Sequence, residues 1–508
     1  MLPSNPIHEV DLHRYVWDGA AVNAGVSPYR YPPGVVVEAA LRGDTPALEP
    51  MLKRLVEAQQ RSKSLWSSLQ RVHYEWLPSP YPPVSQAVFA LADATTPDAS
   101  SPHVRITILK AWIVAFDLAT LWTVFALLRH CGMHSGWAVV YAWCPLALKE
   151  FANSGHLDSI AVLLTCLALL LLVRSGSGDR LRTTPLRGTL PAALVLALGV
   201  GAKLYPLVLL PLFAAYWLRR GGWKTASAGL LAGSLLSAAV LLPMFTSGGQ
   251  DAAQGETIVL TPPPAAGPVS IPTPVTSVSE GAVAETADSA AGLRAFLQSW
   301  EMNDLLFMLV LENLRPHDHQ PPQERPWFAV VPDALATAAT EAFRQVLSLG
   351  RGESLGEGRL TEKRLSFLLA RIVTGFATLV LACVFAWRGS RPGDPPVLTL
   401  QAAALTIAWF WLLCPTQNPW YWCWAVPLLP FVRLRAWHIF SGLVLVYYLR
   451  FWLLAHFGGS TVLGTDYLGA NFFYFIVVPI EHGLVLLALL VELFWQADRC
   501  FEKSRPAG

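Results

Sequence analysis

Apolar runs of roughly 15 to 25 residues, the length that crosses a bilayer, begin near residue 105 and recur to the C-terminus. The pattern predicts helices at 105–129, 134–150, 157–174, 189–203, 205–218, 225–245, 365–387, 397–414, 420–432, 437–456 and 472–495. Two neighbouring pairs meet at breakers, one at Lys203-Leu204-Tyr205-Pro206 and one at Pro415-Thr416-Gln417-Asn418-Pro419. Proline removes a helical hydrogen bond, and non-helical backbone at membrane depth persists only where protein or a wet cavity covers it. Both breaks are therefore candidate cavity walls. The fold class that follows is an all-α polytopic membrane protein, a bundle of about eleven transmembrane or half-membrane helices with extracytoplasmic loops.

Between the runs the pattern changes. Residues 1–104 form an N-terminal segment, polar and in part helical over 40–75, with a short apolar stretch at 84–92 that reads as an interfacial helix. Residues 105–245 are a first group of membrane helices and 365–508 a second. The intervening 246–364 opens with a Pro-, Ala-, Ser- and Thr-rich stretch, 246–290, expected to be disordered. It continues into an amphipathic helix at 292–311.

Composition supports this class, since 53% hydrophobic against 14% charged residues is too apolar for a soluble chain of 508. The formal net charge of +2 comes with no compact basic patch, which argues against a nucleic-acid partner. None of the 7 cysteines lies in 1–104 or 246–364, so disulfides do not hold those segments, and no Cys/His set has zinc spacing.

Basic residues then give an orientation. Arg174, Arg180, Arg182 and Arg187, then Arg219, Arg220 and Lys224, then Arg388 and Arg391, Arg433 and Arg435, and finally Arg499, Lys503 and Arg505 fall on one side if the spans alternate. That side is assigned to the cytoplasm. The opposite face receives 1–104, the turn 151–156, both breaks, 246–364 and the loop 457–471. Translocating the first hundred or so residues favours a membrane helix ahead of them, expected upstream of Met1, the rarer alternative being that the span 105–129 draws its N-terminal flank outward by itself.

The polar clusters fall on that outer face. Residues 9–33 gather Glu9, Asp11, His13, Arg14, Asp18 and Arg30 with Tyr15, Trp17, Tyr29 and Tyr31 ahead of the first span. Asn153-Ser154-Gly155-His156-Leu157-Asp158 stands where a new helix starts, with Asn and Ser as candidate caps and free amides suited to an anion. Lys203 ends an apolar run, where a charge needs an anionic partner or must snorkel to the interface. Together these offer a carboxylate base, cations and amides for a phosphate, and aromatic faces for a sugar ring. A membrane transporter or flippase of lipid-linked saccharides is the alternative, but its ionisable groups would sit nearer the bilayer midplane.

Taken in order, Asp11-x-x-Arg14-Tyr15-x-Trp17-Asp18-Gly19 with Pro28-Tyr29, Tyr81-Pro82-Pro83, Ser154-Gly155-His156-x-Asp158, Lys203-x-Tyr205-Pro206, Asn303-Asp304 and Asn418-Pro419-Trp420-Tyr421 resemble the bacterial polyprenyl-phosphate-mannose-dependent mannosyltransferases of the GT-C superfamily. The resemblance implies an acidic catalytic residue in the first outer loop, for which Asp11 is the matching position. It also implies a polyprenyl-phosphate-linked sugar as donor, mannose by family, and a glycolipid or glycan acceptor. Arg14, Tyr15, Trp17, Asp18, Tyr29, Tyr81, Ser154, His156, Asp158, Lys203, Tyr205, Asn303, Asp304, Asn418, Trp420 and Tyr421 become candidate substrate-binding residues. Many family members carry a second acid beside the matching Asp, where this chain has Val10, with Glu9 one residue further off. No cofactor is expected, and a metal is expected not to be essential. The expected location is the cytoplasmic (inner) membrane, with the site on its extracytoplasmic face.

Overall fold

A computed structural model of the chain describes residues 1–43, 48–176, 185–246, 289–317, 320–349 and 362–504. Helices account for the regular structure, and the only β pairing among the described residues is two isolated bridges. The all-α expectation holds. Among the described residues, seven helical stretches are long and apolar enough to cross a membrane: Pro102–His130, Asp158–Ser175, Tyr205–Leu241, Lys363–Gly389, Pro396–Leu413, Ala436–Phe457 and Gly469–Phe494.

The difference from about eleven has identifiable causes. Residues 134–150 form short pieces, Ser135–Ala138, Val139–Ala142, Pro145–Ala147 and Leu148–Asn153, the last with π-helical pairing. Pro145 cannot donate into a continuing helix, so the run is cut there. The stretch 420–432 is likewise divided into Pro419–Trp422 and Val426–Phe431, the latter carrying Pro427 and Pro430. The runs at 205–218 and 225–245 remain two helices, because the chain turns at Gly222, whose φ of +79° suits a residue without Cβ, and comes back so that Gly229 lies against Trp217. Gly188–Ala202 is apolar but short. The amphipathic run at 292–311 is split into Ala291–Ser299 and Leu306–Asn313. Nearly all of 246–290 lies outside the described residues, as do Arg180, Arg182 and Arg505.

The chain divides into two units, Met1–Leu297 with Ala386–Ala402, and Gln298–Phe385 with Ala403–Gly508. In the first, the N-terminal segment is folded into α1 (Asp11–Asn23), α2 (Pro33–Arg42), α3 (Pro50–Gln60), α4 (Lys63–Leu69) and α5 (Pro83–Ala94). Helix α1 buries Leu12, Tyr15, Val16 and Ala20, a stripe at helical spacing. It lies so close to α5 that a Cβ at Gly19 would clash with the carbonyl of Phe89. Tyr15 stacks on Phe89 with centroids 4.6 Å apart. Three further helices follow, α6 (Pro102–His130), α7 (Asp158–Ser175) and α8 (Pro185–Ala202), with α7 packed against both α6 and α8.

In the second unit, buried Trp411 touches Trp422 and Phe440 edge-on and stacks on His482 at 5.7 Å. A second cluster is centred on buried Phe473 and Tyr447.

Candidate active site

The first turn of α1 places the acids. Glu9 Oε1 accepts from the backbone amides of Val10 at 2.9 Å and Asp11 at 2.7 Å, which fixes its carboxylate at the positive end of the helix. Its other oxygen, Oε2, lies 3.0 Å from His156 Nε2. The same imidazole nitrogen is 3.2 Å from Glu150 Oε2, so His156 stands between two carboxylates.

His156 reaches this position through two backbone devices. The π turn Leu148–Asn153 sets Glu150 and Lys149 so that Lys149 Nζ donates to Glu150 Oε2 at 3.3 Å and to Ser154 Oγ at 2.8 Å. Such turns are rare and concentrate at functional sites. Gly155 follows at φ +70°, where a Cβ would press on Leu12 Cδ2 at 2.7 Å and Lys110 Cγ at 3.0 Å. Only glycine fits both the left-handed backbone and the close approach.

Asp11, Glu9 and His156 each offer a ligand atom within 4.8 Å of the others. Burial pushes the Asp11 carboxyl up, the Glu9 charge adds to this, and His156, Lys203 and a hydrogen bond from Tyr81 oppose it, leaving it at about 6. For Glu9, burial acts upward, but the His156 charge and hydrogen bonds outweigh it and hold the carboxyl below its ordinary value. Burial opposes the charge on His156, yet Glu9 and Glu150 together raise the imidazole to about 10. At neutral pH the centre is thus an ionised Glu9, an imidazolium, and an Asp11 poised near its own titration. Unlike His156, which is 1% exposed, Asp11 keeps part of its surface open.

Lys203 completes the cationic side. It follows α8, and its Nζ is 3.1 Å from both oxygens of Asp158 in the first turn of α7. The ammonium therefore has an anionic partner, one of the two states expected for a charge ending an apolar run. The trio Glu9, Asp11 and His156 has the donor types of a divalent-cation site. The imidazolium state competes with that use, because a metal needs the neutral ring.

The other sequence candidates separate by what they touch. Arg14 donates to the carbonyls of Leu77, His73 and Tyr74 at 2.9, 3.2 and 2.8 Å. Asp18 accepts from Ser79 Oγ at 2.5 Å and Gln86 Nε2 at 3.1 Å, and the Tyr29 hydroxyl donates to Tyr81 O at 2.7 Å. These contacts tie α1 to the loop carrying Tyr81. Trp17 is buried in the core, and Tyr205 donates to Thr165 Oγ1 at 2.9 Å inside the α7 packing. Asn153 and Ser154 do not cap α7, whose N-cap is Leu157. Asn153 instead bonds the backbone of Ile7 and Asn5 and the Ser4 hydroxyl. Asn303, Asp304, Asn418, Trp420 and Tyr421 belong to the second unit.

Sequence reasoning missed Glu150 and Lys149. Both lie in a stretch read as one apolar helix, and the signal was available, since adjacent charges inside such a run require partners.

No curated protein and no solved structure matches the chain significantly. Residues 1–219, a span holding all the residues of the acidic centre, match the MptA_B family model, described as alpha-(1->6)-mannopyranosyltransferase, N-terminal domain, and this match supports a mannosyltransferase of the GT-C type.

Proposed function

We propose that the protein is an integral-membrane inverting glycosyltransferase that moves mannose from a polyprenyl-phosphate donor to a hydroxyl of a glycolipid or glycan acceptor on the extracytoplasmic face. The observation that carries this reading is Asp11, a partly open carboxyl raised to about 6 and set between an ionised acid, an imidazolium and a lysine.

A base of that strength suits proton transfer near neutral pH. Asp11 accepts the proton of the acceptor hydroxyl as its oxygen bonds to the anomeric carbon. The bond from that carbon to the donor phosphate breaks, and polyprenyl phosphate leaves with the electron pair. Attack opposite the leaving group inverts the configuration. Charge grows on the phosphate oxygen, and Lys203 is the cation best placed to meet it, exchanging part of its contact with Asp158 for the phosphate. Glu9, His156 and Glu150 hold Asp11 in a polar but desolvated setting. Tyr81, whose hydroxyl bonds Asp11, orients the carboxyl.

The test supplies membranes with a labelled polyprenyl-phosphate mannose and compares wild type with Asp11→Asn. Transfer should be lost while the variant folds. Full transfer by the variant would remove Asp11 as base, and failure of the wild type with every lipid-linked donor would favour transport.

A further inference from the structure

The end of α7 remote from Asp158 carries a second group of cations in the first unit. The helix runs 18 residues, about 27 Å at 1.5 Å each, and is capped by Gly176, where a Cβ would collide with the Tyr216 hydroxyl and with Arg220 Nη1. Just beyond Arg219 and Arg220 the chain turns at Gly222, and Trp223 and Lys224 stand exposed on that turn. The segment Ala386–Ala402, which belongs to the same unit, brings Trp387 and Arg391 alongside.

The two arginines are held in place. Arg219 Nη1 donates to Trp387 O at 2.7 Å and lies 3.5 Å from Ser390 Oγ, with the guanidinium carbon 4.4 Å from the centre of the Trp387 ring. Arg220 Nη2 donates to Arg391 O at 3.0 Å and to Asp394 O at 3.4 Å, with its guanidinium carbon 4.4 Å from the centre of the Tyr216 ring. Carbonyls and rings thus orient both forks while occupying one nitrogen of each. Arg220 Nε is buried with no hydrogen-bond partner among the described residues. Among those residues, none of Arg174, Arg219, Arg220, Lys224, Arg388 and Arg391 has a carboxylate within ion-pair distance. A solvated basic face accounts for the sign of this patch. It does not call for two planar forks pinned against rings with a buried donor left over.

We propose that this patch binds the phosphodiester of an anionic phospholipid, with Arg219 and Arg220 as the phosphate-binding pair. Trp223 and Trp387 are 66% and 61% exposed beside it. Exposed tryptophans settle at headgroup depth, where a lipid presents its phosphate. Guanidinium forks match phosphate oxygens in pairs, and orienting them beforehand lowers the cost of binding. The flanking Lys224, Arg388 and Arg391 favour a headgroup of net negative charge over a zwitterionic one, whose ammonium they would repel. The patch lies a helix length from the end of α7 that meets Lys203, and the proposal does not rest on the sugar-transfer reading.

The experiment titrates phosphatidylglycerol and phosphatidylcholine onto the full chain in detergent micelles and counts bound lipid by native mass spectrometry. Wild type should prefer phosphatidylglycerol. The double variant Arg219→Gln/Arg220→Gln should weaken phosphatidylglycerol by about tenfold, the cost of losing a hydrogen bond from a charged group, and leave phosphatidylcholine unchanged. Both arginines also hold the 387–394 segment, so Arg391→Gln, whose side chain is exposed, is the second variant: it should weaken phosphatidylglycerol at an unchanged melting temperature. Arg219→Lys/Arg220→Lys keeps the charges without the forks and should regain only part of the affinity. Asp11→Asn should bind phosphatidylglycerol as wild type does, so failure of this proposal leaves the transfer reading standing. Equal wild-type affinity for the two lipids, or an undiminished preference for phosphatidylglycerol in both Gln variants, would overturn the proposal. Displacement of the lipid by excess inorganic phosphate would also overturn it, assigning the arginines to a soluble anion.

Discussion

The two polar clusters satisfy burial in opposite ways. In the first unit the charges around His156 and Lys203 meet countercharges: His156 lies between Glu9 and Glu150, Lys149 contacts Glu150, and Lys203 contacts Asp158. In the second, Asn303, Asp304, Asn418 and Glu481 each keep a buried oxygen without a hydrogen-bond partner among the described residues, and the donors of Trp411, Arg450 and Tyr474 are left in the same state. The difference teaches what each arrangement is suited to. Mutual pairing fixes protonation states and so prepares a group for chemistry, whereas buried groups left without partners cost stability.

Substitutions should expose that contrast, and the largest effect belongs to Asp11→Asn. Loss of a general base slows transfer by about 10²–10⁴-fold, read as the rate of labelled sugar transfer, with little change in thermal stability. Glu150→Ala comes next. It strips one carboxylate from His156 and from Lys149 in a fully buried setting, and breaking such a pair costs about 3–5 kcal/mol. The melting temperature should fall clearly, unlike for Asp11→Asn.

Arg14→Lys separates support from binding. A lysine cannot span the carbonyls of His73, Tyr74 and Leu77 as the guanidinium does. Stability should drop by about 1.5–3 kcal/mol, the worth of a hydrogen bond from a charged group, while KM for the donor stays near wild type. A raised KM at unchanged stability would return Arg14 to the substrate. The smallest effect is expected from a chelator. With His156 held as an imidazolium, EDTA should leave transfer unchanged, and loss of activity restored by a divalent ion would make Glu9, Asp11 and His156 a metal site.

Much of this architecture was legible in the order of residues. Long apolar runs announce the all-helical, multispanning chain, and the charge of Lys203 at the end of one announces its need for an anion, met by Asp158. The breaks within 134–150 and 420–432 were harder, because runs averaged for hydrophobicity hide the prolines that divide them. The part played by Arg14, Asp18 and Tyr29 was not legible. A motif shows that polar groups are close in sequence, and it does not show that their partners are backbone carbonyls and side chains of a loop some fifty to seventy residues away. Glu150 stayed hidden for the same reason, since its partner Glu9–His156 pair forms only when α1 meets the turn after the π-helical segment. Asn303 was noticed as a residue, but the bridge that puts it at φ +55° joins segments more than a hundred positions apart.

The most direct test of the account is the pH dependence of transfer in wild type and Glu9→Gln. Asp11, faced by Glu9, His156, Lys203 and Tyr81, sits at about 6, so the wild-type rate should rise as pH climbs through that value and the carboxyl ionises. Glu9→Gln removes one of the two influences that raise Asp11, while Lys203 stays and Glu150 still faces His156, so the acidic limb should move to lower pH. A limb that stays where it was, or a wild-type rate indifferent to pH between about 5 and 7, the range around that titration, would contradict Asp11 as the base.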